Sequence, residues 1–212
     1  MMENKRFLIV IGVILALFVG TVIISRNSAE SEPTSNGSSN FYGKLDSKVT
    51  LTEFVDFQCE ACYSFYPTVK AIKEKYKDKV KFQIRNFPIT SGHQYAKMAA
   101  AYAESAARQG KFFEMHDKIF EGQKTWENAS KPNEYFDTYA KELNLDMKKL
   151  EADVKGKEVS AVIAADLKAV KELGGSGTPT FTLNGKKIDN PKNDIESFSK
   201  VLDDAIKEAG AN

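Results

Sequence analysis

The sequence predicts an α/β domain in which a β-α-β unit and a β-β-α unit are separated by an all-helical block. Three observations carry this. Residues 49–57 (VTLTEFVDF) and 80–87 (VKFQIRNF) are strand-like runs flanking a helical stretch. From about residue 92 to 173 the apolar pattern changes to helical spacing. Residues 178–183 (TPTFTL) then lead through Asn184-Gly185, a tight-turn signal, into a short return strand and a closing helix. Ahead of the domain, one transmembrane helix is expected.

That helix is placed at residues 7–24 (FLIVIGVILALFVGTVII), an 18-residue apolar run without a charge. At about 1.5 Å per residue it comes close to the thickness of a bilayer's hydrocarbon core. Lys5 and Arg6 precede it, so the positive-inside rule puts residues 1–6 in the cytoplasm and everything after the run outside. A cleaved signal peptide is the alternative, but its apolar region is usually shorter and ends in a small-x-small site. Here Ser25-Arg26-Asn27 follows instead, and with no cysteine directly following the run a lipoprotein anchor is excluded. Residues 25–41, rich in Ser, Asn and Glu, read as a flexible linker, and 42–212 as the folded domain.

Within the domain, 49–57 reads as a buried strand. The helix after it carries Cys59 and Cys62, runs to about Tyr76 and is expected to kink at Pro67. The strand at 80–87 completes a parallel βαβ unit. In the helical block, Ala96, Ala99, Ala100, Ala103 and Ala107 form one face, and Phe112, His116, Ile119 and Phe120 a second. Tyr135, Tyr139 and Leu143 form a third, and Val159, Ile163, Leu167 and Val170 a fourth. The last helix is expected to start near Asn193, with Glu196 as capping-box partner, and to bury Ile195, Phe198, Leu202, Ala205 and Ile206. This element order is that of a thioredoxin fold with a helical insertion at about 92–173.

Composition narrows function by exclusion. The formal net charge is +1, which leaves no basic field for nucleic acid and no acidic tail. The chain has only two cysteines, too few for a disulfide-stapled secreted domain, so the pair Cys59-Glu60-Ala61-Cys62 is free for chemistry. A thiol reacts as its thiolate, and the first turn of a helix supplies N–H groups and a positive dipole end that favour the anion. Cys59, just after the strand, is the expected attacking sulfur; Cys62, on the same helix face, is the more buried resolving one. Glu53, alone in an apolar strand, is a candidate proton acceptor for Cys62, with a raised pKa. A structural buried carboxylate is its competitor. Thr178-Pro179, after a Gly-rich loop, is a candidate cis peptide.

The run VTLTEFVDFQCEAC at 49–62 resembles the active-site strand of DsbA-like thioredoxin-fold proteins. GKFFEMHD at 110–117 followed by Trp126 is similar to their helical insertion, and GTPTF at 177–181 to their cis-proline loop. The resemblance covers about residues 42–208. It implies that Cys59 forms the mixed disulfide with substrate, that Cys62 resolves it, and that the acid at Glu53 relays protons below the site. It further implies that the backbone at Thr178, before cis-Pro179, pairs with a bound substrate strand. The implied activity is dithiol oxidation in exported proteins by a redox-active disulfide, with no organic cofactor or metal and with a quinone-linked membrane thiol oxidase as partner. A monomer is the default. Between the cysteines this chain has Glu60-Ala61, where the family commonly has Pro and in some members His. A negative Glu60 should disfavour the Cys59 thiolate and make the protein less oxidising than the strongest oxidases.

Other readings compete. A membrane-tethered reductase is the nearest, while an isomerase would usually carry an added dimerisation domain, for which residues 25–40 are too short and polar. A non-catalytic metal-binding or chaperone-like module is the third, since Cys59, Cys62, His93 and His116 together make a Cys2His2 set arithmetically possible. His116, on an apolar helix face, reads more simply as core, His93 as an ordinary helix-start residue, and the lysines at 73–81 as a solvated face.

Overall fold

The computed structural model describes residue 33 and residues 35–210; the stub at 1–6, the span at 7–24 and most of the linker lie outside the described residues. Among the described residues no helix is long and apolar enough to cross a membrane. The unit Thr34–Asn212 is built on a five-stranded sheet, β1 (Asn40–Gly43), β2 (Thr50–Val55), β3 (Lys81–Asn86), β4 (Thr180–Leu183) and β5 (Lys186–Lys187), in the order β1-β3-β2-β4-β5. β2 and β3 pair in parallel, the other pairs antiparallel. The central position of β2 follows from its composition. Leu51 to Val55 are all buried, as a strand covered on both faces must be.

The parallel pair is joined by helix α1 (Glu60–Tyr76), which runs on through Pro67. Its buried stripe, Cys62, Tyr66, Val69, Ile72, Lys73 and Tyr76, lies at helical spacing. Val69, Ile72 and Tyr76 meet Leu51, Phe82 and Phe181 of the sheet and Phe198 and Leu202 of the last helix in one core. The helical insertion comprises α2 (Ala96–Ala107), α3 (Phe112–Glu121), α4 (Gln123–Trp126), α5 (Pro132–Glu142), α6 (Met147–Val154) and α7 (Lys157–Glu172). Its core, with Met115, Ile119, Phe120, Trp126 and Phe136, is continuous with Phe57, Cys62 and Tyr66 around the cysteine pair. Helix α8 (Ile195–Glu208) closes the fold.

Several expectations are corrected. The linker ends earlier than residue 41: Ser38 and Asn40 are buried, and β1 takes the edge beside β3. The reason is a cluster of buried polar groups. The Ser38 hydroxyl donates to Glu104 Oε1 at 2.6 Å, Asn40 to the same oxygen at 2.8 Å, and the Ser38 N–H to Asp166 Oδ1 at 2.9 Å. Asn86 bridges both acids, and Arg85 Nε pairs with Asp166 Oδ1 at 2.6 Å. Helix α8 is capped by Asp194, whose side chain accepts from the Ser197 N–H at 2.7 Å, rather than by Asn193, which donates to Ser64. Ile195 and Tyr135 are exposed; Phe136 and Ala140 fill the α5 face instead. Lys73 is not solvated. It is buried, with Nζ 4.6 Å from the centroid of the Phe113 ring and 5.5 Å from that of Tyr42. Asn184 and Gly185 take φ of 50° and 78°, the left-handed pair that a two-residue hairpin requires.

Candidate active site

The strand-to-helix turn after β2 is held by side chains that composition alone does not single out. Asp56 is buried at the end of the strand and accepts from the N–H groups of Gln58 (2.8 Å) and Ile89 (2.7 Å), and its Oδ2 lies 2.8 Å from His93 Nδ1. Gln58 Oε1 accepts from the Tyr95 N–H at 2.7 Å. Gln123, fully buried in α4, donates from Nε2 to the carbonyls of Phe57 (2.8 Å) and Cys59 (3.2 Å). The signal that could have found Asp56 was its polarity within an otherwise apolar stretch; Gln123 left no signal that separates it from a surface residue.

So fixed, Cys59 becomes the N-cap of α1 with extended backbone, its carbonyl accepting the first helical bond from the Tyr63 N–H at 3.0 Å. Its side chain closes no full capping bond, so the sulfur lies at the open helix end under the influence of the N–H groups of Ala61 and Cys62. Both cysteines are free thiols; Cys59 is partly exposed and Cys62 buried. The Cys59 thiol is lowered from 9.0 to about 5, chiefly by hydrogen bonding to Cys62, with Thr178 and the N–H groups of Cys62 and Ala61 adding to it against partial burial. Burial pushes Cys62 well above 9.0, and the neighbouring Cys59 and Glu53 push the same way. The two sulfurs are thus made unequal by their surroundings, one an anion at neutral pH and the other a thiol.

The remaining candidates converge on this pair. The Cys59 sulfur lies 3.5 Å from the Thr178 carbonyl oxygen, and the Thr178–Pro179 peptide is cis. A surface hollow of about 410 Å³ runs along this loop, from Ser176 to Thr180, against residues 187–190. A larger hollow of about 710 Å³ sits in the insertion beside Tyr102 and Leu150 and includes neither cysteine. Glu53 is buried on β2, opposite Ile84 and Phe181, and burial lifts its carboxyl from 4.5 to about 7 against the pull of Lys73.

Glu60, expected to oppose the thiolate, is compensated. Its carboxylate accepts from Lys124 Nζ at 2.6 Å, and the same ammonium lies 5.4 Å from the centroid of the Tyr63 ring. The two histidines go elsewhere. His93 faces Asp56, and His116 is enclosed by Phe57, Tyr66, Phe112 and Phe120 with Nδ1 3.0 Å from Asp117. Among the described residues no group of three or more His, Cys, Asp or Glu side chains is placed to hold a metal ion.

Comparison with known proteins agrees with this geometry. A family model described as Thioredoxin matches residues 35–204. The chain is 35% identical over 167 residues to Na(+)/H(+) antiporter NhaA 3 of Salinispora tropica, a match covering 79% of this chain and 24% of that protein. It therefore spans about a quarter of the length of the antiporter relatives it matches. It is also 28% identical over 219 residues to probable disulfide bond formation protein D of Bacillus anthracis, with 97% of this chain and 100% of the relative covered. Among solved structures, a thioredoxin-like oxidoreductase from Silicibacter pomeroyi superposes with a TM-score of 0.67 at 25% identity, covering 81% of this chain and 93% of its own.

Proposed function

Because the chain belongs to the thioredoxin family, we propose that it is an extracytoplasmic thiol–disulfide oxidoreductase that oxidises paired cysteines in exported proteins, tethered by residues 7–24. The observation that carries this is the inequality of the two sulfurs, Cys59 partly exposed and lowered to about 5, Cys62 buried and raised. In the oxidised protein the two are joined. A substrate thiolate attacks the Cys59 sulfur, the bond to Cys62 breaks, and Cys62 departs as a thiolate. Glu53, with its carboxyl at about 7, is poised to give that thiolate a proton. A second substrate thiolate then attacks the substrate sulfur of the mixed disulfide and expels Cys59 as a stable anion. The substrate has lost two electrons and the enzyme has gained them. The backbone of Thr178, beside the hollow along the cis-Pro179 loop, is where an extended substrate segment would pair. Reoxidation falls to a membrane partner, a quinone-linked thiol oxidase.

The thiolate supports the oxidising direction. Stabilising Cys59 as an anion stabilises the reduced protein and makes the disulfide a better oxidant. A thiol at about 5 lies between thioredoxin (about 7) and DsbA (about 3.5). The potential is therefore expected between about −270 and about −120 mV. Equilibration of the full chain in glutathione buffers tests this. A value at or below about −270 mV would overturn the oxidase reading in favour of a reductase fed with electrons across the membrane. Absence of any turnover of a model dithiol would leave only a binding module.

A further inference from the structure

We infer that Gln123, brought in by the short helix α4 of the insertion, is a positioning residue for the Cys59 turn and sets how strongly the site oxidises. Its amide nitrogen bridges the carbonyls of Phe57 and Cys59, the two that bracket Gln58 in the turn between β2 and α1. Holding the Cys59 carbonyl fixes the extended backbone of that residue, with ψ at 126°. It thereby fixes where the Cys59 sulfur sits against the N–H groups of Ala61 and Cys62, which favour its thiolate.

Two further features separate this from ordinary packing. Gln123 is fully buried, yet its Oε1 has no hydrogen-bond partner. An amide serving packing alone would be satisfied at both ends or replaced by an apolar side chain, since an unpaired buried acceptor is destabilising. Here only the donor end is used, and both its bonds go to the cysteine turn. In addition, the next residue grips the first turn of α1 from outside, Lys124 binding Glu60 and lying over Tyr63. On its other side α4 is fixed to the insertion by Trp126, fully buried, whose Nε1 donates to the Ile119 carbonyl at 2.7 Å. Helix α4 is thus a rigid link between the insertion core and the backbone of the reacting cysteine.

The inference rests on the reading of Cys59 as the exchanging sulfur. The test uses the full chain, the Gln123→Leu variant and Leu150→Ala, buried in α6, as a control that weakens the insertion without touching α4 or the turn. The readouts are the thiolate absorbance of Cys59 against pH and the equilibrium with glutathione. Gln123→Leu is expected to raise the Cys59 pKa by about one unit and to reduce the oxidising equilibrium constant roughly tenfold, equivalent to about 30 mV. Leu150→Ala is expected to lower thermal stability and leave both readouts in place. Unchanged pKa and potential in Gln123→Leu, or equal changes in both variants, would overturn the inference. Should Gln123→Leu not fold, Lys124→Gln, a surface change, is expected to raise the Cys59 pKa by a few tenths of a unit, on the scale of an exposed ion pair. Glu60→Gln added to it should restore the parent value, and no response to either change would overturn the proposed grip. A parent chain that does not exchange with glutathione at all would defeat the functional reading instead.

Discussion

Replacing Glu53 by glutamine probes the acid beneath the cysteines. Burial raises this carboxyl from 4.5 to about 7. An acid with a folded pKa above its unfolded value keeps its proton longer in the folded state. Its contribution to stability is therefore complete below 4.5, falls as pH rises to about 7, and is level beyond. At about 1.36 kcal/mol per pH unit, that gap, from 4.5 to about 7, corresponds to about 3 kcal/mol. The Glu53→Gln variant is neutral at every pH. It is expected to gain about 3 kcal/mol on the parent between the acid and alkaline ends of that window. Urea unfolding of the reduced protein, followed by the fluorescence of Trp126, the only tryptophan in the chain, measures this directly. His116 imposes the opposite slope, since burial lowers its imidazole from 6.5 to about 4. The Cys59 thiol, lowered from 9.0 to about 5, slopes the same way as His116, so only the difference between variant and parent isolates Glu53. A difference that stays constant from pH 4.5 to above 7 would refute the reasoning.

Other expectations follow from the same geometry. The rate of alkylation of Cys59 should rise with a midpoint near pH 5, while Cys62 stays unreactive until the protein unfolds. Cys59→Ser should abolish exchange, and Cys62→Ser, offered a disulfide substrate that the Cys59 thiolate can attack, should accumulate the mixed disulfide that Cys62 would otherwise resolve, visible by mass spectrometry. His116→Leu should flatten the acid side of the stability profile, gaining about 3 kcal/mol on the parent as pH falls from 6.5 to about 4. Arg85→Ala removes the cation from Asp166, whose side chain is 0% exposed, and should lower stability by about 3–5 kcal/mol in urea unfolding.

What the sequence discloses and what it hides divide along a physical line. Elements whose pattern is set by burial were legible: the apolar strand β2, the run of alanines in α2, the turn at Asn184-Gly185. The cysteine pair was legible because few residue types do that chemistry. The carboxylate at Glu53 stood out as a charge among apolar residues. Lys73 reads as exposed for the converse reason. It lies among exposed lysines along the chain, and only the rings of Phe113 and Tyr42, from distant segments, make its position an interior one. Gln123 and Asp166 were hidden because a polar residue on a helix is ordinarily solvated; their burial depends on partners 64 and 128 residues away. Spacing puts Ile195 on the core face, yet it is the first residue of α8 and 47% exposed. The effect expected of Glu60 was right in its electrostatics and incomplete in its surroundings, since Lys124 comes from the insertion.

The burial of Ser38 and Asn40 has a practical consequence for anyone cutting this chain. A fragment begun at Phe41, where the composition changes, would discard two side chains that donate to Glu104 and the N–H that donates to Asp166. Both acids would lose these donors, and the edge strand β1 would lose its first residue, Asn40, which pairs with Ile84. Such a fragment would be prone to misfold however intact its cysteines. The shortest piece that retains the whole buried cluster starts at or before Asn36, whose carbonyl still accepts from Arg85.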